Sequence, residues 1–122
     1  MEIDPGARPP LTKQKRGGNM SVLMEFSMFP TDKGESVGAY VSRVIDMIRE
    51  NGTAYKLTPM GTVIETESMA EALELLQKSH DILEKDARRI YATVKFDIRK
   101  GAENHLEGKI RSVEDKIGKV RT

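Results

Sequence analysis

Val22-Leu23-Met24-Glu25-Phe26-Ser27-Met28-Phe29 alternates along its length: Val22, Met24, Phe26 and Met28 point one way, Leu23, Glu25, Ser27 and Phe29 the other. A period of two is the mark of a strand, because successive side chains leave opposite faces of the pleated backbone. One face here is wholly apolar and the other is mixed. The pattern returns from Arg88 to Ile98, with Ile90, Ala92, Val94, Phe96 and Ile98 on one face and Tyr91, Thr93, Lys95 and Asp97 on the other.

Between these strands the spacing changes twice. After the turn residues Pro30 to Gly34, the residues Val37, Tyr40, Val41, Val44, Ile45 and Ile48 follow helical spacing until Asn51-Gly52 supplies a stop. Thr53 to Leu57 and Gly61 to Glu67 read as short strands joined through Thr58-Pro59-Met60. Ser68, with Glu71 three residues on, forms a capping box that opens a second helix, whose apolar stripe reads Met69, Leu73, Leu76, His80 and Leu83. Lys100-Gly101 ends the last strand. Leu106, Ile110, Val113, Ile117 and Val120 then recur at spacings of four and three, the narrow seam of a terminal helix suited to another subunit. The order predicts an α+β fold, a ferredoxin-like split βαβ sandwich (βαββαβ) with an extra C-terminal helix and the first and third strands central. Two helices cover one face of such a sheet; the other carries Leu23, Phe29 and Tyr91 among polar residues, a mixture suited to a ligand or another protein surface.

A chain of 122 residues holds one core, so residues 20–122 are read as a single domain and residues 1–19, with three prolines and no apolar periodicity, as a flexible extension or leader. A basic arm that touches RNA or a membrane is the rival reading of that segment. It holds four of the twenty basic residues and two of the nineteen acidic ones, which leaves the rest slightly acidic. With aromatic residues at 5%, the stacking platform and positive field of a nucleic-acid binder are missing. No apolar run is long enough for a membrane span, and the chain reads as cytoplasmic. The absence of cysteine excludes disulfides and thiolate chemistry. His80 and His105 read as surface residues rather than metal ligands, and neither a nucleophile elbow nor a phosphate loop is present. Non-catalytic binding is therefore expected; acid–base work by a Glu25–Glu65 pair is the one enzymatic alternative.

The chain resembles the small thiamine-binding proteins related to the YkoF-type thiamine-binding fold. The likeness runs from about Met20 to Val120, carried by Glu25 and Ser27 and by Tyr55-Lys56-Leu57-Thr58-Pro59-Met60-Gly61-Thr62-Val63-Ile64-Glu65. Arg89, Asp97-Ile98-Arg99, Lys109 and Ser112-Val113-Glu114 add to it. The extension and Thr66, where many relatives have glycine, depart from the pattern. The resemblance implies a homotetramer of paired dimers and binding of thiamine or its hydroxymethylpyrimidine moiety; no required cofactor is expected, and the composition points to no nucleic-acid and no membrane partner.

Thiamine carries a cationic thiazolium and an aminopyrimidine, so its pocket needs a carboxylate, hydroxyls and ring or apolar surface. Glu25, Ser27, Thr62 and Glu65 are the expected polar contacts, Tyr40 and Tyr55 the rings, and Met24, Met28 and Met60 the apolar lining. Each has a structural alternative: Glu25 as a cross-strand partner of Lys95, Glu65 as a solvated strand-end charge, Tyr40 and the methionines as core. Arg89 and Arg99 read either as anion ligands or as partners of Asp97. A rival function is that of a regulatory or assembly protein, with the open sheet face closed by another copy and no cavity for a ligand.

Overall fold

The computed structural model describes residues 20–35, 37–101 and 105–122, so the expected extension lies outside the described residues. The elements run β1 (Met20–Pro30), α1 (Gly38–Asn51), β2 (Ala54–Thr58), β3 (Gly61–Thr66), α2 (Met69–Glu84), β4 (Ile90–Lys100) and α3 (His105–Ile117). The sheet order is β2-β3-β1-β4 with every neighbouring pair antiparallel. This is the ferredoxin-like architecture, with β1 and β3 central.

The alternation in β1 settles which face is core. Val22, Met24 and Phe26 are buried with Ile64 of β3, Val44 and Ile48 of α1, and Ala72, Leu75 and Leu83 of α2. Helix α1 ends at Gly52, whose φ of 77° is left-handed and whose N–H donates to the Arg49 carbonyl at 3.1 Å; glycine adopts that conformation at little cost. In the β2–β3 turn, Thr58 Oγ1 accepts from the Met60 and Gly61 N–H groups at 3.2 and 3.1 Å. A Cβ at Gly61 would stand 3.1 Å from the Phe26 carbonyl oxygen, so the turn packs closely on β1.

Two details of α2 differ from the sequence reading. Ser68 caps the helix by accepting from the Glu71 N–H at 3.2 Å, but the Glu71 carboxylate accepts from the backbone N–H of Glu67, one residue before the cap, also at 3.2 Å. The buried stripe is Ala72, Leu75, Ser79 and Leu83, while Leu73 is 48% exposed. Small residues let α2 lie close on the sheet, which turns the Met69, Leu73, Leu76 and His80 row onto its flank.

Helix α2 packs on β1 and β3, and α1 on β1 and β2. The helix-facing row of β4 is left partly open, with Phe96 38% and Ile98 49% exposed. Helix α3 packs on β3 and β1 from the other face, over Ser21 and Leu23, which are buried. No helix among the described residues is long and apolar enough to cross a membrane.

Ile64 is fully buried at the centre of this arrangement. Ile64→Ala is expected to lower unfolding free energy by about 2–5 kcal/mol, read as a fall in the urea midpoint with an unchanged slope.

Candidate functional site

The strand period divides the five strand-borne residues among the six expected ligand contacts between two faces. Register pairs Leu23 with Glu65 and Glu25 with Val63, so Glu25, Ser27 and Glu65 share the α3 side of the sheet. Thr62 pairs with Phe26 and Tyr55 with Ile64, which puts both on the α1–α2 side. Thr62 and Glu65 are three residues apart and must face opposite ways. Thr62 is therefore separated by the sheet from the Glu25 and Glu65 side chains, with which it was expected to share one site. Tyr40, on α1, packs at the core margin with the Arg43 guanidinium 4.8 Å from its ring centroid.

The carboxylates of the α3 side already hold protein groups. Glu25 Oε1 lies 3.1 Å from Lys95 Nζ, the cross-strand pair that the sequence allowed. Glu65 accepts from Ser21 Oγ at 2.6 Å and from the backbone N–H groups of His105 and Leu106 at 2.7 and 3.0 Å. It is neither a solvated charge nor a bare carboxylate; it anchors the positive end of α3. His105, expected at the surface, is 5% exposed beneath this anchor, and its ring nitrogens have no partner among the described residues. Farther along α3, Lys109 Nζ donates to Asp97 at 2.5 Å and holds that carboxyl below the usual range. Phe29 and Tyr91, with centroids 5.9 Å apart, occupy the end of the face that α3 leaves uncovered.

Among the described residues, a cleft opens at each end of the sheet. The larger, about 460 Å³, lies where β1 ends, the β2–β3 turn folds over and α1 begins. Ser27 and Thr62 both line it, with Met28, Val41, Met60 and Glu35. Glu35 is a lining carboxylate that strand periodicity could not reveal, because it sits in the β1–α1 connection. The smaller, about 280 Å³, is lined by Glu65, Glu67, Glu71, Glu74 and Lys78 among others. Its charges are largely committed: Glu71 to the start of α2, Glu65 to α3, and Glu74 with Lys78 at 3.7 Å. Thr66, the departure from the family pattern, borders it and donates to the Ser68 carbonyl at 2.8 Å. Of potential metal ligands among the described residues, His80, Asp81 and Glu84 bring atoms within 4.8 Å of one another on the outside of α2. Asp81 there already accepts from Gln77 at 2.9 Å.

Fold and clefts together define a ferredoxin-like domain with a mainly apolar pocket at one end of its sheet. Residues 24–114 match the family model described as thiamine-binding protein, and the chain belongs to that family. A UPF0045 protein of Mycobacterium bovis is 35% identical over 95 residues, 78% of this chain and 93% of its own. A UPF0045 protein of Methanothermobacter thermautotrophicus is 31% identical over 83 residues, 67% of this chain and 84% of the relative. Among solved structures, the protein MJ1052 of Methanocaldococcus jannaschii superposes with a TM-score of 0.70 at 30% identity, covering 78% of this chain and 97% of that one. A Thermotoga maritima protein described as a candidate for thiamine biosynthesis or salvage shares the fold, with a TM-score of 0.62 at 22% identity over 76% of this chain and 98% of its own.

Glu65→Ala is expected to cost roughly 1–3 kcal/mol, the scale of hydrogen bonds to a charged group, and to speed amide exchange at His105 and Leu106 while β1 and β3 stay protected. The Asp97–Lys109 contact carries an acid dependence. Because the folded-state pKa of Asp97 is depressed by Lys109, its contribution is present above the unfolded value of about 3.9 and lost as pH falls through the folded value. Protonating it should loosen the Lys109 turn of α3 first, seen as amide protection, with the intrinsic pH dependence of exchange divided out, that falls below about pH 4 and stays constant across that range in Asp97→Asn.

Proposed function

We propose that this protein binds thiamine or its hydroxymethylpyrimidine moiety without catalysing a reaction, in the larger cleft, as one protomer of a homo-oligomer. The observation that carries the reading is the gathering of Ser27 and Thr62 with the apolar residues Met28, Val41 and Met60 around one cleft. Faces of a pyrimidine ring suit those walls, and its ring nitrogen and amine suit the hydroxyls, which donate and accept. Glu35, at the exposed side of the cleft, is the carboxylate for the thiazolium cation. Membership of the thiamine-binding family supports the ligand class.

In this reading Ser27 and Thr62 touch ligand, whereas Glu25, Tyr40, Tyr55 and Glu65 hold the frame through the contacts described above. The same contacts weigh against acid–base chemistry by Glu25 and Glu65, since Lys95 and the α3 N–H groups occupy their carboxylates. A cleft of this size also favours binding over the assembly-only alternative, which calls for a closed surface.

Calorimetric titration with thiamine and with hydroxymethylpyrimidine tests the proposal. Saturable binding is expected, weakened tenfold or more by Thr62→Val, with Glu35→Gln weakening thiamine more than the uncharged pyrimidine and Glu25→Gln leaving both unchanged. No heat from a folded sample with either ligand would overturn it.

A further inference from the structure

The C-terminal end of α2 carries charge of the sign that a helix end of that polarity disfavours. Carbonyl groups make such an end negative, and lysine, arginine or protonated histidine is stabilising there. The last turns of α2 hold Asp81 and Glu84 instead, with no basic residue in the final turn. Lys78, a turn earlier, lies 3.7 Å from Glu74, and Arg43 reaches Asp86 beyond the helix at 3.0 Å. Among the described residues no lysine or arginine pairs with Asp81 or Glu84, and Lys85 at the cap joins neither. Two carboxylates and a helix C-terminus thus share one exposed spot without a paired cation.

An imidazole stands with them. Residues 77, 80, 81 and 84 are spaced i, i+3, i+4 and i+7, so they form one row along the outside of α2. His80, Asp81 and Glu84 each bring a ligand atom within 4.8 Å of the other two, and His80 Nδ1 is 3.7 Å from Asp81 Oδ1. Bonds of about 2.0–2.2 Å from zinc to nitrogen and oxygen set neighbouring ligand atoms roughly 3.0–3.4 Å apart in octahedral or tetrahedral geometry. Side chains that reach solvent can close the difference by small rotations, and all three reach it. His80 and Glu84 also have the i, i+4 spacing by which a helix offers two ligands to one ion. Gln77 donates to Asp81 Oδ1 at 2.9 Å, which steadies that carboxylate, as the outer partners of metal ligands do, and leaves Oδ2 open.

We propose that His80, Asp81 and Glu84 bind one divalent first-row transition ion, of which zinc is representative, and that the ion staples the last turn of α2. The donor set selects the class. One imidazole with two carboxylates suits zinc, nickel or cobalt, whereas magnesium and calcium take oxygen ligands. Two carboxylates balance the charge of a dication, and the outward-facing coordination positions are left to water. Leu83, fully buried in the core, belongs to the same turn, so the ion would hold the segment that seats α2 on the sheet. None of the three ligands lines the larger cleft, and the site stands independently of the thiamine reading.

The chain has two histidines and no cysteine, so few side chains compete for zinc, and the His80 and His105 rings report separately by NMR. Untagged, chelator-washed protein titrated with zinc chloride is expected to bind one ion per chain by calorimetry, with the His80 ring signals shifting and those of buried His105 unmoved. His80→Ala, folded by circular dichroism, should abolish that binding, and Glu84→Gln should weaken it at least tenfold. Zinc should raise amide protection at Ile82, Leu83 and Glu84 in the parent protein and not in His80→Ala. Magnesium at the same concentration should move neither ring. Zinc binding as tight in His80→Ala as in the parent, or a His80 ring that zinc does not shift in the folded parent, overturns the site. Magnesium binding equal to that of zinc overturns the ion class and reduces the row to a charged surface.

Discussion

Strand β1 has to satisfy two neighbours and two faces at once, and the rest of the structure follows from the one register in which it can. It is bonded to β3 on one side and β4 on the other, while Val22, Met24 and Phe26 are buried under the helices. A slip of one residue would carry that apolar row to the opposite face and expose it. At roughly 1.5–3 kcal/mol for each large apolar side chain, such a slip is prohibitive for a domain of ordinary marginal stability. With β1 fixed, β3 has no freedom either: Ile64 must lie beside Met24, so Glu65 must emerge on the other side.

That placement of Glu65 decides what α3 does. Its carboxylate meets the first two N–H groups of the helix and the Ser21 hydroxyl, contacts worth more than the exposed Lys56–Glu107 and Lys109–Asp97 pairs farther along. Exposed pairs of that kind contribute about 0–1 kcal/mol. The helix is therefore pinned at its N-terminus and more loosely held toward its C-terminus, where Val113 and Ile117 are exposed. It closes the Ser21–Leu23 end of the sheet and leaves the Phe29–Tyr91 end open.

Strands, hairpin and both helices of the core layer were legible because each rests on local spacing, and period two in β1 identified the buried face residue by residue. The phase of α2 was not. Met69, Leu73, Leu76, His80 and Leu83 make a more hydrophobic stripe than Ala72, Leu75, Ser79 and Leu83, yet the latter is buried, since close packing on the sheet favours small side chains. Leu83 belongs to both rows, which hides the shift. The opposite facing of Thr62 and Glu65 was readable from their spacing of three, whereas the Glu65 anchor joins groups 40 and 41 residues apart and leaves no local trace. Burial of His105 follows from that anchor and was hidden with it. The cleft was illegible for another reason: Glu35 comes from a connection, where no periodicity assigns a direction.

A sheet whose two faces are so cleanly sorted places a constraint on any site built from it. Residues on opposite faces cannot meet across the body of the sheet, because the backbone ladder stands between them. They can meet where strands end. Strand β1 finishes at Pro30 and β3 begins at Gly61, with Gly61 close against the Phe26 carbonyl. Around that shared end Ser27 from one face and Thr62 from the other line the same cleft. Small side chains at Ser27 and Gly61 keep that end open, and the first turns of α1 supply the wall that the strands lack. The pocket is thus a consequence of where the sheet stops, which is why the conflict between the two faces is resolved there and nowhere along the strands themselves.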